Sequence, residues 1–86
     1  MDKVLVSVFV PSVDDTYNIQ IPINLEMKDV IKFIQEAIAD ITGEAYKVDP
    51  NARLYDRNTG CLINTNNIVK FSGLKNGALF MLISIK

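Results

Sequence analysis

Residues 73–86 read Gly-Leu-Lys-Asn-Gly-Ala-Leu-Phe-Met-Leu-Ile-Ser-Ile-Lys, and the rest of the predicted fold is arranged around them. It opens with a turn signal, Asn76-Gly77, because Asn and Gly both tolerate positive φ at low cost. The run that follows contains one polar residue, Ser84, and is too short for a membrane span, which needs about 20 residues. Such a run is typical of a buried strand. We therefore expect neighbouring strands on both of its edges.

Length and composition predict one small domain that covers residues 1–86. The chain is 49% hydrophobic, which is normal for a globular protein, and its net charge is −1. That charge argues against nucleic-acid binding and against binding to an anionic membrane surface. The single cysteine, Cys61, allows no intramolecular disulfide and fits a reducing compartment. Val4–Val10 lacks the features of a signal peptide, so we expect a cytoplasmic protein without direct membrane insertion.

The first half of the chain predicts a hairpin and then a helix. Lys3–Val10 is rich in β-branched residues and predicts a strand. We place its valines in the core because Ser7 indicates that the other face is more exposed to solvent. Thr16–Ile23 alternates apolar and polar residues and should pair antiparallel with the first strand, with Pro22 favouring a sheet edge. Met27–Thr42 carries an apolar stripe at helical spacing, formed by Val30, Phe33, Ile34, Ala37, Ile38 and Ile41. Gln35 lies on the opposite, polar side of this helix. Asn24 or Glu26 could cap this helix, and Gly43 suits the position after its end.

The second half predicts short strands around the final one. Ala52–Asp56 and Cys61–Ile63 read as short strands that flank a turn, and Ile68–Ser72 reads as one helical turn. The predicted order is ββαββ(short helical turn)β, an α+β fold with a mixed sheet packed on one helix. If the last strand is central, it runs parallel to the first, because the helix supplies the long crossover that a parallel pair needs.

This order resembles a ubiquitin-like β-grasp, and the chain is similar to the EsaB/YukD family of small ubiquitin-like proteins. Three segments carry the resemblance: Tyr17–Pro22 with Leu25–Ile31, Leu54-Tyr55-Asp56 with its Asn-Thr-Gly turn, and Gly73–Gly77. The chain departs from the family at Ala78, where members often have Asp. The resemblance implies a bacterial protein associated with type VII (WXG100/ESX-type) secretion, with cytosolic components of that machinery as partners.

Ubiquitin-type modifiers and sulfur carriers of this fold end in a flexible Gly-Gly tail. A side chain on those residues would clash in the narrow channel of the activating enzyme. Leu82–Lys86 is instead β-branched to its end. Unless the chain was truncated, we expect a non-conjugated protein. A sulfur carrier or modifier that lacks its tail remains a weaker alternative.

Residues suited to catalysis are few. The chain has no histidine, the commonest acid–base residue and metal ligand. Cys61 follows a turn with no activating base in the sequence, so it reads as a small strand residue. Asp56, Asn58 and Gly60 resemble the start of a calcium loop, but the glycine is one place early and the bidentate Glu is absent. We expect no catalytic residue, no metal, no cofactor and no enzymatic activity.

The residues favour a protein-binding face over a catalytic or metal site. Alternation along the last strand separates Leu79, Met81 and Ile83, which we place in the core, from Phe80 and Leu82. If Leu54 is buried, Arg53 and Tyr55 point outward, and we expect Tyr55, Phe80, Leu82 and Arg53 to bind a partner, with Leu5 or Phe9 further across the sheet. The alternative is a facing that is off by one residue, which would put Phe80 and Leu82 in the core.

The sequence therefore predicts a non-enzymatic protein that acts by protein–protein binding in type VII secretion. Two alternatives remain open beside it: a ubiquitin-like adaptor of another system, and a homodimer built on the same apolar face.

Overall fold

A computed structural model of the chain describes residues 2–63, 65–66, 68–69 and 74–83. These residues form four strands and one helix in the order ββαββ. The strands are β1 (Lys3–Val10), β2 (Asp15–Pro22), β3 (Arg53–Asp56) and β4 (Ala78–Ile83), and the helix is α1 (Met27–Ile41).

The four strands form one mixed sheet in the order β2-β1-β4-β3. β1 and β2 are an antiparallel hairpin in which Lys3 lies opposite Pro22. β4 lies between β1 and β3, parallel to the first and antiparallel to the second. The predicted hairpin, the central last strand and its parallel pairing with β1 are confirmed. The α+β class, a mixed sheet packed on one helix, is confirmed with them.

The core lies between the sheet and α1. The four valines of β1 all face it, as predicted, and Ile19 and Ile21 of β2 join them. The helix contributes Met27, Val30, Ile34 and Ile38. Ile41 was predicted in the same stripe but is 60% exposed, because the helix ends there. Beyond it Gly43 adopts φ 62°, the left-handed conformation predicted for the residue that follows a helix end.

The predicted facing of the last strand is wrong by one residue. Phe80 and Leu82 are 2% and 1% exposed, whereas Leu79 is 37% exposed. Residues directly opposite in neighbouring strands share a face of the sheet. Phe80 lies opposite buried Val8, and Leu82 lies opposite buried Leu54, so both must point into the core.

The segment after β3 departs from the prediction in a second way. Cys61–Ile63 forms an isolated bridge, Tyr55 with Leu62, rather than a strand. The Asp56–Gly60 turn is closed by its own bonds: the Gly60 N–H donates to the Asp56 carbonyl at 2.7 Å, and the Asn58 N–H donates to Asp56 Oδ1 at 2.8 Å. The carboxylate of Asp56 therefore holds a turn. Residues 70–72 of the predicted helical turn lie outside the described residues.

A buried polar cluster ties α1 to the chain that follows it. Gln35, which the sequence placed on the polar side of the helix, is 2% exposed. Its Nε2 donates to the Asp49 carbonyl at 3.0 Å, and its Oε1 accepts from the Asp49 N–H at 2.7 Å. The Tyr46 hydroxyl donates to the same Oε1 at 2.8 Å. One amide side chain thus satisfies both backbone groups of Asp49, which fixes residues 46–49 against the helix.

Candidate protein-binding site

The candidate site is the face of the sheet that points away from α1, here called the outer face. Alternation along the strands gives it every second residue, starting from Lys3 on β1 and Arg53 on β3. Its members are Lys3, Leu5, Ser7 and Phe9 of β1; Thr16, Asn18, Gln20 and Pro22 of β2; Arg53 and Tyr55 of β3; and Leu79, Met81 and Ile83 of β4.

The outer face has a polar half and an apolar half. The polar half lies on β2, where the Ser7 hydroxyl donates to Asn18 Oδ1 at 2.7 Å across the hairpin. The apolar half runs over β1, β4 and β3. Within it Phe9 lies opposite Met81, which in turn lies opposite Tyr55. These three side chains form a row across the sheet, and Leu5 (43% exposed) and Leu79 flank it. A contiguous apolar patch of this kind is typical of an interface.

Arg57 closes one side of this patch. Its guanidinium carbon lies 5.0 Å from the centroid of the Phe9 ring, within the range of a cation–π contact. Its backbone N–H donates to the Leu79 carbonyl at 3.0 Å, so the turn after β3 is fastened to β4. The start of β4 is also held on its other edge, next to β1. The Gly77 N–H donates to the Leu5 carbonyl at 2.8 Å, and the Leu5 N–H donates to Asn76 Oδ1 at the same distance.

The charges of the outer face are of one sign. Lys3 and Arg53 belong to it, and Arg57 lies over its aromatic row. No Asp or Glu is among the outward-facing residues of the four described strands. The chain as a whole has net charge −1, so this face is positive although the protein is slightly acidic. The face is therefore suited to a surface that is apolar and negatively charged.

The structure divides the four predicted binding residues into two pairs. Arg53 and Tyr55 lie on the outer face, where the sequence placed them. Phe80 and Leu82 are buried in the core and have no surface to offer a partner. Their places are taken by Leu79, Met81 and Ile83, which sequence reasoning had assigned to the core. The signal that could have found them is the pairing of β4 with β1, whose valine face was already known to be buried.

Two further features of the described residues bear on the site's chemistry. Cys61 is an exposed free thiol whose Sγ lies 3.9 Å from the Thr59 carbonyl oxygen. No cluster of three or more His, Cys, Asp or Glu side chains that could hold a metal occurs in the part of the chain that the structure describes. The one described helix, α1, is too short to cross a membrane.

Comparison with solved structures shows the fold. The ubiquitin-like domain of the Mycobacterium tuberculosis type VII secretion protein ECCD1 superposes with a TM-score of 0.70 over 98% of this chain and 100% of that domain, at 11% identity. A chain of the MycP5-free ESX-5 inner membrane complex superposes over 99% of this chain and 21% of its own length, with a TM-score of 0.66 and 13% identity. A structure described as molecular mimicry of SUMO that promotes DNA repair matches 96% of this chain and 92% of its own, at TM-score 0.68 and 17% identity.

No protein-family model matches the chain, and no curated protein matches it either. The fold is thus a ubiquitin-like β-grasp, and it is the fold alone that these similarities establish.

Proposed function

We propose that this chain is a small ubiquitin-like protein of the EsaB/YukD type, which acts by non-covalent protein binding in bacterial type VII secretion. It binds cytosolic components of the secretion machinery through the apolar half of its outer face, and it catalyses no reaction itself. Arg53 and Tyr55 remain binding residues in this proposal, joined by Leu79, Met81 and Phe9.

One observation supports the proposal above the others. The outer face carries a row of half-buried large side chains, Phe9, Met81 and Tyr55, flanked by exposed Leu5 and Leu79, although the same sheet already packs a core on its other side. Leaving this row in water contributes nothing to folding, whereas covering it with a partner removes apolar surface from water at about 25 cal/mol per Å². The likeness to the ECCD1 domain and to the ESX-5 chain supports the part of the proposal that concerns type VII secretion.

The charge of the outer face bears on the homodimer alternative. Two copies that met face to face would bring together two positively charged faces, each carrying Lys3, Arg53 and Arg57. Like charges in an interface disfavour association. A partner that presents carboxylates beside apolar groups has no such penalty, so the proposal favours a different protein over a second copy.

Two variants test the face itself. Leu79→Asp places a carboxylate in the apolar half, and Gln20→Asp places the same group at an exposed outward position in the polar half. Binding to the purified cytosolic domains of a type VII machinery from the same genome is then measured by biolayer interferometry. Leu79→Asp should weaken binding at least about tenfold, which corresponds to ~1.4 kcal/mol. Gln20→Asp should leave it within about twofold.

The association with secretion is tested separately. Genes for WXG100 proteins and an FtsK-type ATPase should lie near the gene for this chain. If they are absent and wild-type protein binds none of the machinery's cytosolic domains, the secretion proposal is wrong, and an adaptor of another system takes its place. The alternative of a sulfur carrier or modifier is tested with an activating enzyme and ATP. It requires that the enzyme form an adenylate on the encoded C-terminus.

A further inference from the structure

A second surface lies on the helix side of the molecule. A groove of about 420 Å³ runs between α1 and residues 48–52, the segment that leads into β3. This volume falls in the range of ~300–1,000 Å³ that is usual for binding sites. The groove is lined by Lys28, Ile31, Lys32, Gln35, Val48, Pro50 and Ala52.

The groove combines apolar side chains with two lysines on its helix wall. Ala52 is buried and Ile31 is half-buried, but Val48, a large apolar residue, is 47% exposed. Lys28 and Lys32 belong to α1, and no lining residue carries a carboxylate. The groove therefore combines exposed apolar surface with positive charge at one wall.

The charges of α1 are segregated towards this groove. At about 100° per residue, its only two basic residues, Lys28 and Lys32, lie within roughly 40° of each other. Its acidic residues Asp29, Glu36 and Asp40 form another stripe, centred roughly 80° further round the helix. Two like charges four residues apart on a helix repel by a few tenths of a kcal/mol. Lys32 also lies three residues after Asp29 and four before Glu36, and these opposite-charge pairs offset the repulsion. The two lysines still place positive charge beside the groove.

The two lysines are available to a ligand. Lys32 forms no ion pair with any residue that the structure describes. Lys28 Nζ lies 3.1 Å from Glu26 Oε2, and this hydrogen bond and charge raise the pKa of Lys28. Both partners of that pair are more than half exposed, and exposed pairs contribute little. A carboxylate from a ligand can therefore replace Glu26 at small cost.

The opposite wall of the groove is held in place from within. Gln35 bonds both backbone groups of Asp49, between lining residues Val48 and Pro50. The Asp49 carboxylate turns back to accept the Asn51 N–H at 2.9 Å and does not line the groove. A wall fixed in this way loses little conformational entropy when a ligand binds, which favours recognition by a preformed site.

We infer that the groove between α1 and residues 48–52 binds an extended peptide segment of a partner protein, one that combines apolar side chains with a carboxylate. The apolar side chain packs on Val48 and Ile31, and the carboxylate pairs with Lys32. This surface lies on the helix layer, and the outer face lies on the far side of the sheet. The two can be occupied together, so the chain can bridge two partners.

A random twelve-residue peptide library displayed on phage is the probe. Selection uses the folded wild-type chain, and selected peptides are then compared on three variants. Lys32→Glu reverses the charge at the groove. Lys75→Glu makes the same change at an exposed residue that does not line it. Leu79→Asp disables the outer face. Thermal unfolding of each variant confirms that it is folded.

Selected peptides should contain Asp or Glu beside apolar residues. Lys32→Glu should weaken their binding at least about tenfold, while Lys75→Glu and Leu79→Asp should leave it within about twofold. Amide chemical shifts of Ile31, Val48 and Ala52 should move on titration of the free peptide.

Three results overturn the inference: no enrichment above background, peptides without carboxylates, or binding that Lys32→Glu leaves unchanged. Peptides whose binding is lost in Leu79→Asp alone would overturn the groove while supporting the outer face. If the chain selects such groove peptides but binds no component of the secretion machinery, the groove inference stands and the proposed function is wrong.

Discussion

Leu82→Ala and Leu79→Ala make the same chemical change three residues apart on one strand, and they should have very different effects. Leu82 is 1% exposed, lies opposite buried Leu54 and belongs to the core. Leu79 is 37% exposed on the outer face. The pair tests directly which face of β4 is buried, and it does so without a partner protein.

The expected magnitudes follow from burial. A fully buried Leu→Ala substitution costs about 2–5 kcal/mol, because apolar contact is lost and a cavity remains. Leu79 can lose only part of its transfer free energy and leaves no enclosed cavity, so its truncation should cost about 1 kcal/mol. At ~0.05–0.15 kcal/mol per residue, a chain of this length has a free energy of unfolding of about 4–13 kcal/mol. Leu82→Ala should therefore remove a large fraction of it.

Urea unfolding followed by far-UV circular dichroism measures both losses. With a urea m-value of about 1–3 kcal/mol/M, a loss of about 4 kcal/mol lowers the midpoint by roughly 1.3–4 M. Leu79→Ala should lower it by less than half as much. If both variants lose the same stability, or Leu79→Ala loses more, the facing of β4 described above is incorrect, and the outer face with it.

Three further predictions concern the helix and its surroundings. Gln35→Ala should lower the free energy of unfolding by about 2–4 kcal/mol in urea, because it leaves the buried Asp49 backbone groups without their partner; a loss below 1 kcal/mol would show that water replaces the amide. Gly43→Ala should cost about 1–2 kcal/mol, since φ 62° is unfavourable for a residue with a Cβ, and Gly43→Asn should cost less; equal midpoints for both variants and wild type would contradict this. Glu26→Gln should lower the pKa of Lys28 in an NMR titration. Because that pKa is raised in the folded state, the pair with Glu26 stabilises the fold slightly below the unfolded pKa of about 10.4, and this stabilisation is lost as pH rises through the folded pKa. If the pKa of Lys28 is unchanged in Glu26→Gln, Glu26 is not the cause of its shift.

The elements with polar markers were predictable from the sequence. Ser7 distinguishes the two faces of β1, and Thr16, Asn18 and Gln20 do the same for β2, so only one register buries the apolar side. The apolar stripe of α1 predicts its buried face in the same manner. The order of the strands then followed from the apolar last strand and the crossover rule.

The rest depended on contacts between distant residues. β4 is apolar on both faces, so alternation could not choose between Leu79 and Phe80, and only the pairing with Val8 settles the facing. Gln35 is polar and stood opposite the apolar stripe. Its burial depends on a chain segment that returns to it fourteen residues later. The pattern of one element therefore cannot predict which of its residues a distant segment of the chain will bury.

The parallel pairing of β1 with β4 also constrains how the chain folds. Val6 and Ala78 lie side by side at the centre of the sheet although they are about 70 residues apart in sequence. Closing a loop of that length costs ~4 kcal/mol of chain entropy before any contact repays it. During synthesis the hairpin and α1 emerge first. One edge of β1 is then paired with β2, and its other edge has no partner until β4 is made. The strand that supplies the outer face with Leu79 and Met81 is therefore the last to arrive, and a chain competent to bind through that face is one whose synthesis has passed residue 83.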